Sequence, residues 1–338
     1  MKRRGILCGG CWLVDHNNSI SHWPEQETLT QIVACELQGG GPAHNMAIDL
    51  ARLDPGFPVW ASGVVGNDDA GRFLIAACDE RGIDHSALRV LDGVGTSHTD
   101  VMTVNSTGKR TFFHHQGANA LLSPEHFDFT DCSARILHLG APGIHARMDA
   151  PYEVDPSGWV TVLRRARAAG LRTNLEMISG PPEEIRRLVT PCLPHLDTLI
   201  INDYEAGVLT GIDVVSGGVT SPGAARRAAV ALLVSGPLEL VVIHFPGGCI
   251  AATRDGEVFA KPSLDVPAEA IKGANGAGDA FAAGVLYGIH EDWPINESLS
   301  LGVCAAASAL RSVSTTSAVV SVAECLALAD AWGWRSPI

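Results

Sequence analysis

Short β-prone runs and amphipathic stretches alternate along almost the whole chain. The runs at 6–10, 59–63, 135–139, 172–175, 198–201 and 240–244 predict strands. Between and beyond them, 43–53, 71–81, 156–169, 182–189, 222–234, 279–290 and 295–312 read as helices. Strands that alternate with helices predict an α/β fold, a mostly parallel sheet covered by helices on both faces. In such sheets ligands bind at the carboxyl ends of strands, on loops that lead into helices.

Two segments break the alternation. Residues 19–38 scatter Ile20, Trp23, Leu29, Ile32 and Val33 among polar positions with no helical stripe. Residues 96–115 alternate more plainly, as in Val101-Met102-Thr103-Val104, with a turn at Asn105-Ser106-Thr107-Gly108. Both predict antiparallel ribbons inserted at about 12–38 and 96–116, which together would make a small sheet over the ligand crevice. A spare apolar face on that sheet suits a second copy of the chain, so a homodimer is expected. No repeat, low-complexity tract or Pro/Ser linker marks a boundary, and residues 1–338 are expected to form a single domain.

Composition narrows the function classes. Hydrophobic content of 46% with 18% charged residues describes a large packed core. Twenty-four basic against 37 acidic residues give a net charge of −13, which argues against a nucleic-acid or anionic-membrane surface. Phosphate recognition is local, so this balance leaves ATP binding open. The basic start Met1-Lys2-Arg3-Arg4 runs into an apolar stretch that breaks at Gly9-Gly10, too short for a secretory signal. The nine cysteines are odd in number and scattered, as expected for reduced, mostly buried thiols of a cytoplasmic protein. Cys8 and Cys11 have redox spacing but no helix signal follows them.

The richest chemistry lies in Gly273-Ala274-Asn275-Gly276-Ala277-Gly278-Asp279, which opens directly on an apolar helix. A helix start leaves backbone N–H groups unpaired at the positive end of its dipole, and small residues let an anion reach them. A carboxylate beside an anion site is electrostatically costly, so Asp279 fits a base that takes a proton from a hydroxyl attacking a phosphoryl group. An Asp N-cap on a glycine-rich loop is the alternative. A second run, Gly39-Gly40-Gly41-Pro42-Ala43-His44-Asn45, also feeds a helix. Its glycines would admit a ligand, and Asn45 offers the donor and acceptor that a sugar hydroxyl needs. A plain strand-to-helix turn fits as well. Asp15, five residues past the first strand, suits two neighbouring hydroxyls, or only a solvent-facing loop. Asn202 and Glu205 are spaced to share one helix face toward a hydrated cation, and equally to form a capping box. The histidines show no pair at i, i+4 with a third ligand, so no zinc site is expected; His44 and His115 are read as near substrate or the small sheet.

Taken together, these motifs resemble the ribokinase-like (PfkB) carbohydrate kinases over roughly residues 5–330. Gly39 to Asn45 resembles the family's amino-terminal signature and Asn275 to Gly284 its carboxy-terminal one. Gly66-Asn67-Asp68-Asp69-Ala70-Gly71, Arg110-Thr111-Phe112-Phe113, Gly117-Ala118-Asn119-Ala120 and Asn202 to Glu205 are similar to motifs between them, in the family's order. The resemblance implies a β-lid and ATP as phosphoryl donor. It makes Asp279 the base and the N–H groups of Gly276, Ala277 and Gly278 the anion hole. It gives Asp15, Gly40, Gly41, Asn45 and Asn119 to the sugar. Asn202, Glu205, His244, Gly247, Gly248 and Asn275 fall to the nucleotide, with Glu205 on magnesium through water.

Departures from the pattern matter as well. Gly273-Ala274 stands where the family usually has Asp-Thr, which puts a monovalent cation in doubt. His244-Phe245-Pro246-Gly247-Gly248 replaces a common Thr-x-Gly. Gly140 takes the place of a sugar-binding Glu of ribokinases, so the resemblance leans toward fructokinase or ketodeoxygluconate kinase. A nucleoside kinase, with Trp12, Trp23, Phe112 or Phe113 against the base, and a non-catalytic sugar sensor are the rival readings.

Overall fold

The computed structural model describes residues 3–338; Met1 and Lys2 of the basic start lie outside the described residues. In chain order the strands are β1 (Ile6–Gly10), β2 (Leu13–Ile20), β3 (Ile32–Gly40), β4 (Val59–Gly66), β5 (Asp84–Leu91), β6 (His98–Val104), β7 (Arg110–His115) and β8 (Ile136–Gly140). They continue with β9 (Arg172–Leu175), β10 (Thr198–Asn202), β11 (Val215–Ser216), β12 (Val219–Thr220), β13 (Leu240–Phe245), β14 (Gly248–Thr253) and β15 (Val258–Pro262). The helices are α1 (Pro42–Leu53), α2 (Asp69–Asp79), α3 (Gly158–Ala168), α4 (Pro182–Val189) and α5 (Asp203–Thr210). After them come α6 (Pro222–Leu233), α7 (Ala277–His290), α8 (Ile295–Ala309) and α9 (Val322–Trp332).

The main sheet runs β15-β14-β13-β10-β9-β8-β1-β4-β5. From β13 to β5 its neighbours are parallel, while β14 and β15 turn back antiparallel at one edge. Alternate strand residues point to opposite faces. Thus Ile6 and Cys8 join one apolar core, under α1, α7 and α8, while Leu7 joins the other, under α3 and α6. Burial on both faces explains the nearly continuous apolar runs of these strands. The edge elements β5, β14, β15 and α9 have no counterpart among the expected ones. Strand β5 is largely exposed, and the antiparallel return of β14 and β15 departs from the strand–helix alternation on which the reading rested.

The inserted ribbons form a second sheet in the order β3-β2-β6-β7. Each ribbon is antiparallel as expected, but β2 and β6 join them in parallel. The crossing from β1 to this sheet is fixed by Trp12, whose Nε1 donates to Ser62 O at 3.1 Å.

Helix α7 packs on α8 along a seam of small residues. A Cβ on Gly284 would lie 2.8 Å from Gly302 Cα, and one on Gly288 would lie 2.8 Å from Ser298 Cβ. The backbones therefore approach as closely as glycine allows, and every residue of α7 from Ala280 to His290 is buried. That seam holds in place the helix whose first turn carries Asp279.

Candidate active site

The turn before α7 differs from the expected one in where the helix begins. Gly276, at φ 73°, is the N-cap, and Ala277 starts the helix two residues earlier than Asp279. A Cβ at Gly276 would also run into Thr315 O, so glycine is required there twice over. Asp279 is consequently the third helical residue and not the cap. Among the described residues no backbone acceptor meets the N–H groups of Gly276 or Gly278, while that of Ala277 reaches Ala274 O weakly at 3.4 Å. Two of the three expected anion-hole donors are thus free, at the positive end of a buried helix.

Asp279 Oδ2 accepts from Asn45 Nδ2 at 2.6 Å, so the two glycine-rich runs meet at one hydrogen bond. His44 Nδ1 lies 3.1 Å from Asn45 Oδ1, which turns the amide so that its NH2 faces Asp279. The His44 ring is buried edge-on against Trp12 at 5.6 Å between centroids. His44 therefore orients Asn45. Burial, then the neighbouring Glu176 carboxylate, push the Asp279 carboxyl well above its usual range, while the Asn45 hydrogen bond opposes them. Glu176 follows β9 and was not singled out in the sequence; a glutamate at a strand's carboxyl end was the available signal.

Asp15 sits on β2 opposite Gln38 of β3 and Thr99 of β6. Burial raises its carboxyl to about 6, against the lowering effect of a Thr99 hydrogen bond. Thr99 Oγ1 lies 3.1 Å from His114 Nδ1. Strand alternation puts His114, paired with Thr99, on the Asp15 face; His115 pairs with His98 on the other, stacked on it at 4.9 Å. His115 thus lies on the small sheet, the second of the two places expected for it. Both side-chain amide atoms of Gln38 are buried without partners, a donor and an acceptor free beside Asp15.

The glycines of the first run make room for the protein's own groups. A Cβ on Gly39 would strike the His44 ring, one on Gly40 the Asp15 carboxylate, and one on Gly41 would lie 2.7 Å from Cys11 O. Asn119 is wholly buried, and its Nδ2 donates to Trp12 O at 3.1 Å and reaches Cys11 Sγ at 3.4 Å. It braces the crossing into the small sheet, and only its Oδ1 is left without a partner.

A cavity of about 380 Å³ opens on the far side of the α7 start. Val266, Ile271, Phe281, Val303 and Leu310 make it apolar, and Asn202, His244, Gly248 and Gly278 stand at its polar end. A planar heterocycle fits such a slot beside free N–H groups. The His244 ring lies 5.0 Å from that of Phe281, and burial lowers its pKa to about 4, leaving it neutral. Gly247 and Asn275 do not line the cavity; Gly247 instead turns the β13–β14 hairpin against Phe245.

Asn202 and Glu205 form the capping box of α5. Asn202 Oδ1 accepts from Glu205 N at 2.9 Å, and Glu205 Oε2 accepts from Asn202 N at 3.0 Å. Glu205 Oε1 also accepts from Ser179 Oγ at 2.8 Å, and burial raises the carboxyl to about 7. With both oxygens engaged and 5% exposure, Glu205 suits a metal-bound water better than direct ligation. Among the described residues no cluster of three or more His, Cys, Asp or Glu could hold a metal ion, and no helix is long and apolar enough to cross a membrane.

Residues 12–321 match the pfkB family carbohydrate kinase model. The 5-dehydro-2-deoxygluconokinase of Geobacillus kaustophilus is 25% identical, over 95% of this chain and 90% of its own. The fructokinase of Klebsiella pneumoniae is 29% identical over 74% of this chain and 76% of its own. The fold is shared with the Arabidopsis thaliana ribokinase solved with ribose and ATP, at a TM-score of 0.78 and 20% identity, covering 97% of this chain and 99% of that one.

Proposed function

Because the chain belongs to the pfkB family of carbohydrate kinases, we propose that Asp279 is the base of an ATP-dependent phosphoryl transfer to a neutral sugar. The family places the chain among kinases acting on sugars or sugar acids. The observation that carries the finer reading is Asp279 itself, held by Asn45 at 2.6 Å on the first turn of α7 beside unpaired N–H groups. Phosphoryl transfer needs positioning and charge stabilisation more than covalent chemistry, and this turn supplies both.

In this reading the apolar cavity takes the adenine, with His244, Gly248 and Gly278 near the phosphates. The N–H groups of the α7 turn receive the transferring phosphoryl group. Asp15, Gln38 and Asn45 hold the hydroxyls of the acceptor, and Asp279 draws the proton from the attacking one. Magnesium neutralises phosphate charge when bound, and Glu205 would reach it through water. The small sheet acts as the lid of a single unit. Its exposed Leu37 and Phe113, which the strand register puts on one face, support a homodimer through that face, which a monomer in sedimentation at micromolar concentration would overturn. Nine free cysteines support a cytoplasmic location.

A neutral acceptor is favoured over a sugar acid by the charges at the site. Asp15, Glu176 and Asp279 form no ion pair with any lysine or arginine among the described residues. An acidic substrate would add a further negative charge beside these three carboxyl groups. Trp12 is wholly buried, which removes one of the aromatic residues that a nucleoside base would use. ADP release with ATP as donor over fructose, ribose, ketodeoxygluconate, 5-dehydro-2-deoxygluconate, adenosine and inosine tests the reading. Fastest turnover on fructose is expected. A sugar acid or nucleoside as best acceptor would overturn the neutral-sugar assignment, and binding with no ADP from any compound would mean a sensor.

A further inference from the structure

Two of the buried polar atoms without a hydrogen bond, Glu176 Oε2 and His138 Nε2, stand 3.0 Å apart behind Asp279. Their protonation can be worked out from the groups beyond them. Asn174 Nδ2 donates to Thr198 O at 3.2 Å, so its Oδ1 is the atom that faces His138 Nδ1, at 2.9 Å. Nδ1 therefore carries the imidazole hydrogen, and Nε2 of the neutral ring presents a lone pair. A lone pair and a carboxylate oxygen at 3.0 Å repel unless a proton lies between them. On its other side Glu176 meets Asp279. Gly140 provides the space, since a Cβ there would lie 3.2 Å from Glu176 Cβ.

We propose that Glu176 and His138 are a positioning pair that moves a proton behind the base. At rest one proton lies between Glu176 Oε2 and His138 Nε2, and Asp279 acts as base from its ionised form, against the burial and the Glu176 carboxyl that favour its protonated one. When the acceptor hydroxyl attacks, its O–H bond breaks and the proton binds Asp279. The Glu176 O–H bond then breaks and that proton binds His138 Nε2. The hydroxyl oxygen forms the new O–P bond with its electron pair, and the bond from phosphorus to the ADP oxygen breaks. The inference rests on the kinase reading of Asp279.

Other titratable groups face this pair from the surrounding elements. Cys8 and Cys11 approach from β1 and its exit, Asp15 from β2, and His44 and Asp49 from α1. Glu205 approaches from α5 and His244 from β13. All are neutral or negative, so none replaces His138 as the proton's destination, although burial lowers the His138 pKa to about 4, and the Asn174 hydrogen bond and Asp279 oppose it.

The test uses Glu176→Gln and His138→Gln in the full chain. E176Q removes the carboxyl that, after burial, most raises the Asp279 pKa, so the acidic limb of kcat against pH moves down by about one unit. H138Q lowers kcat about tenfold with both KM values nearly unchanged. An acidic limb that stays in place in E176Q overturns the proposal, because a merely structural role would move melting temperature or KM alone. A second readout needs no turnover: the His138 titration followed by 15N NMR in wild type, E176Q and Asp279→Asn. Its midpoint is expected to fall in both variants, and an unmoved midpoint overturns the coupling. Absence of ADP from any sugar with wild type would remove the kinase reading, whereas an unmoved His138 midpoint removes this relay alone.

Discussion

In the turn before α1, three glycines lie against the protein's own groups: the His44 ring, the Asp15 carboxylate and the Cys11 carbonyl. Pro42 opens the helix and removes one donor, and Asn45 N–H is bonded to Gly41 O at 2.9 Å as Ala280 N–H is to Gly276 O. In the turn before α7, Gly276 is required by its left-handed backbone and by Thr315 O, and a Cβ on Gly278 would crowd His244 Cε1 at 3.3 Å. Unpaired N–H groups follow. Glycine in the first turn makes room for the His44 and Asp15 side chains; in the second it makes room for the Thr315 carbonyl, and the helix opens on Ala277, which keeps its N–H, in place of a proline. On the proposed function the first turn assembles the acceptor side and the second faces phosphate charge.

The sharpest way to break this contrast is at Asp279. Replacing Asp279 by Asn is expected to lower turnover by about 10²–10⁴ while the sugar KM changes little. Steady-state kinetics checks it, and wild-type turnover would return the residue to a structural role. Next come the glycines. G276A should cost about 10² in turnover and lower the melting temperature, because it meets both strain and Thr315 O. G278A should cost less than about tenfold. G40A should raise the sugar KM about tenfold with kcat held, since its Cβ displaces Asp15. Equal effects in KM and kcat for G40A and G276A would erase the distinction between the turns.

Asn45 joins the two regions. Its hydrogen bond favours the ionised form of Asp279, so in Asn45→Ala the Asp279 pKa rises further and the acidic limb of the rate profile moves up by about one unit. A pH–rate series that stays in place would show that the contact does not tune the base. The smallest effect concerns cations. With Gly273 and Ala274 before the turn, exchange of potassium for sodium is expected to change turnover less than about twofold; a larger activation would place a cation site elsewhere.

Much of the site was legible because it is local. Asp279, Asn45 and Asn202 with Glu205 each sit in a short motif at a strand or turn end, where chain geometry and chemistry are written in neighbouring residues. Glu176, His138 and Thr99 were not legible, because they meet Asp279 or Asp15 only through strand order. β8 and β9 come together beside β1, and β6 beside β2. A histidine and an asparagine inside the predicted runs 135–139 and 172–175 were the signal for His138 and Asn174, as polar groups in a buried strand need partners. The face occupied by His114 also needed the register of β6 and β7, which a one-residue slip would reverse.

The seam between α7 and α8 has a consequence for how this enzyme can diversify. A base mounted where not one methyl fits between two helix backbones occupies a single position, and substitutions there trade stability away before they move it. On the proposed function new acceptors would therefore be accommodated from the opposite wall, by exchanges on β2, β3 and β6, while the phosphate-facing half stays as it is. Selection for a new sugar acts on a replaceable cover above an immovable anvil.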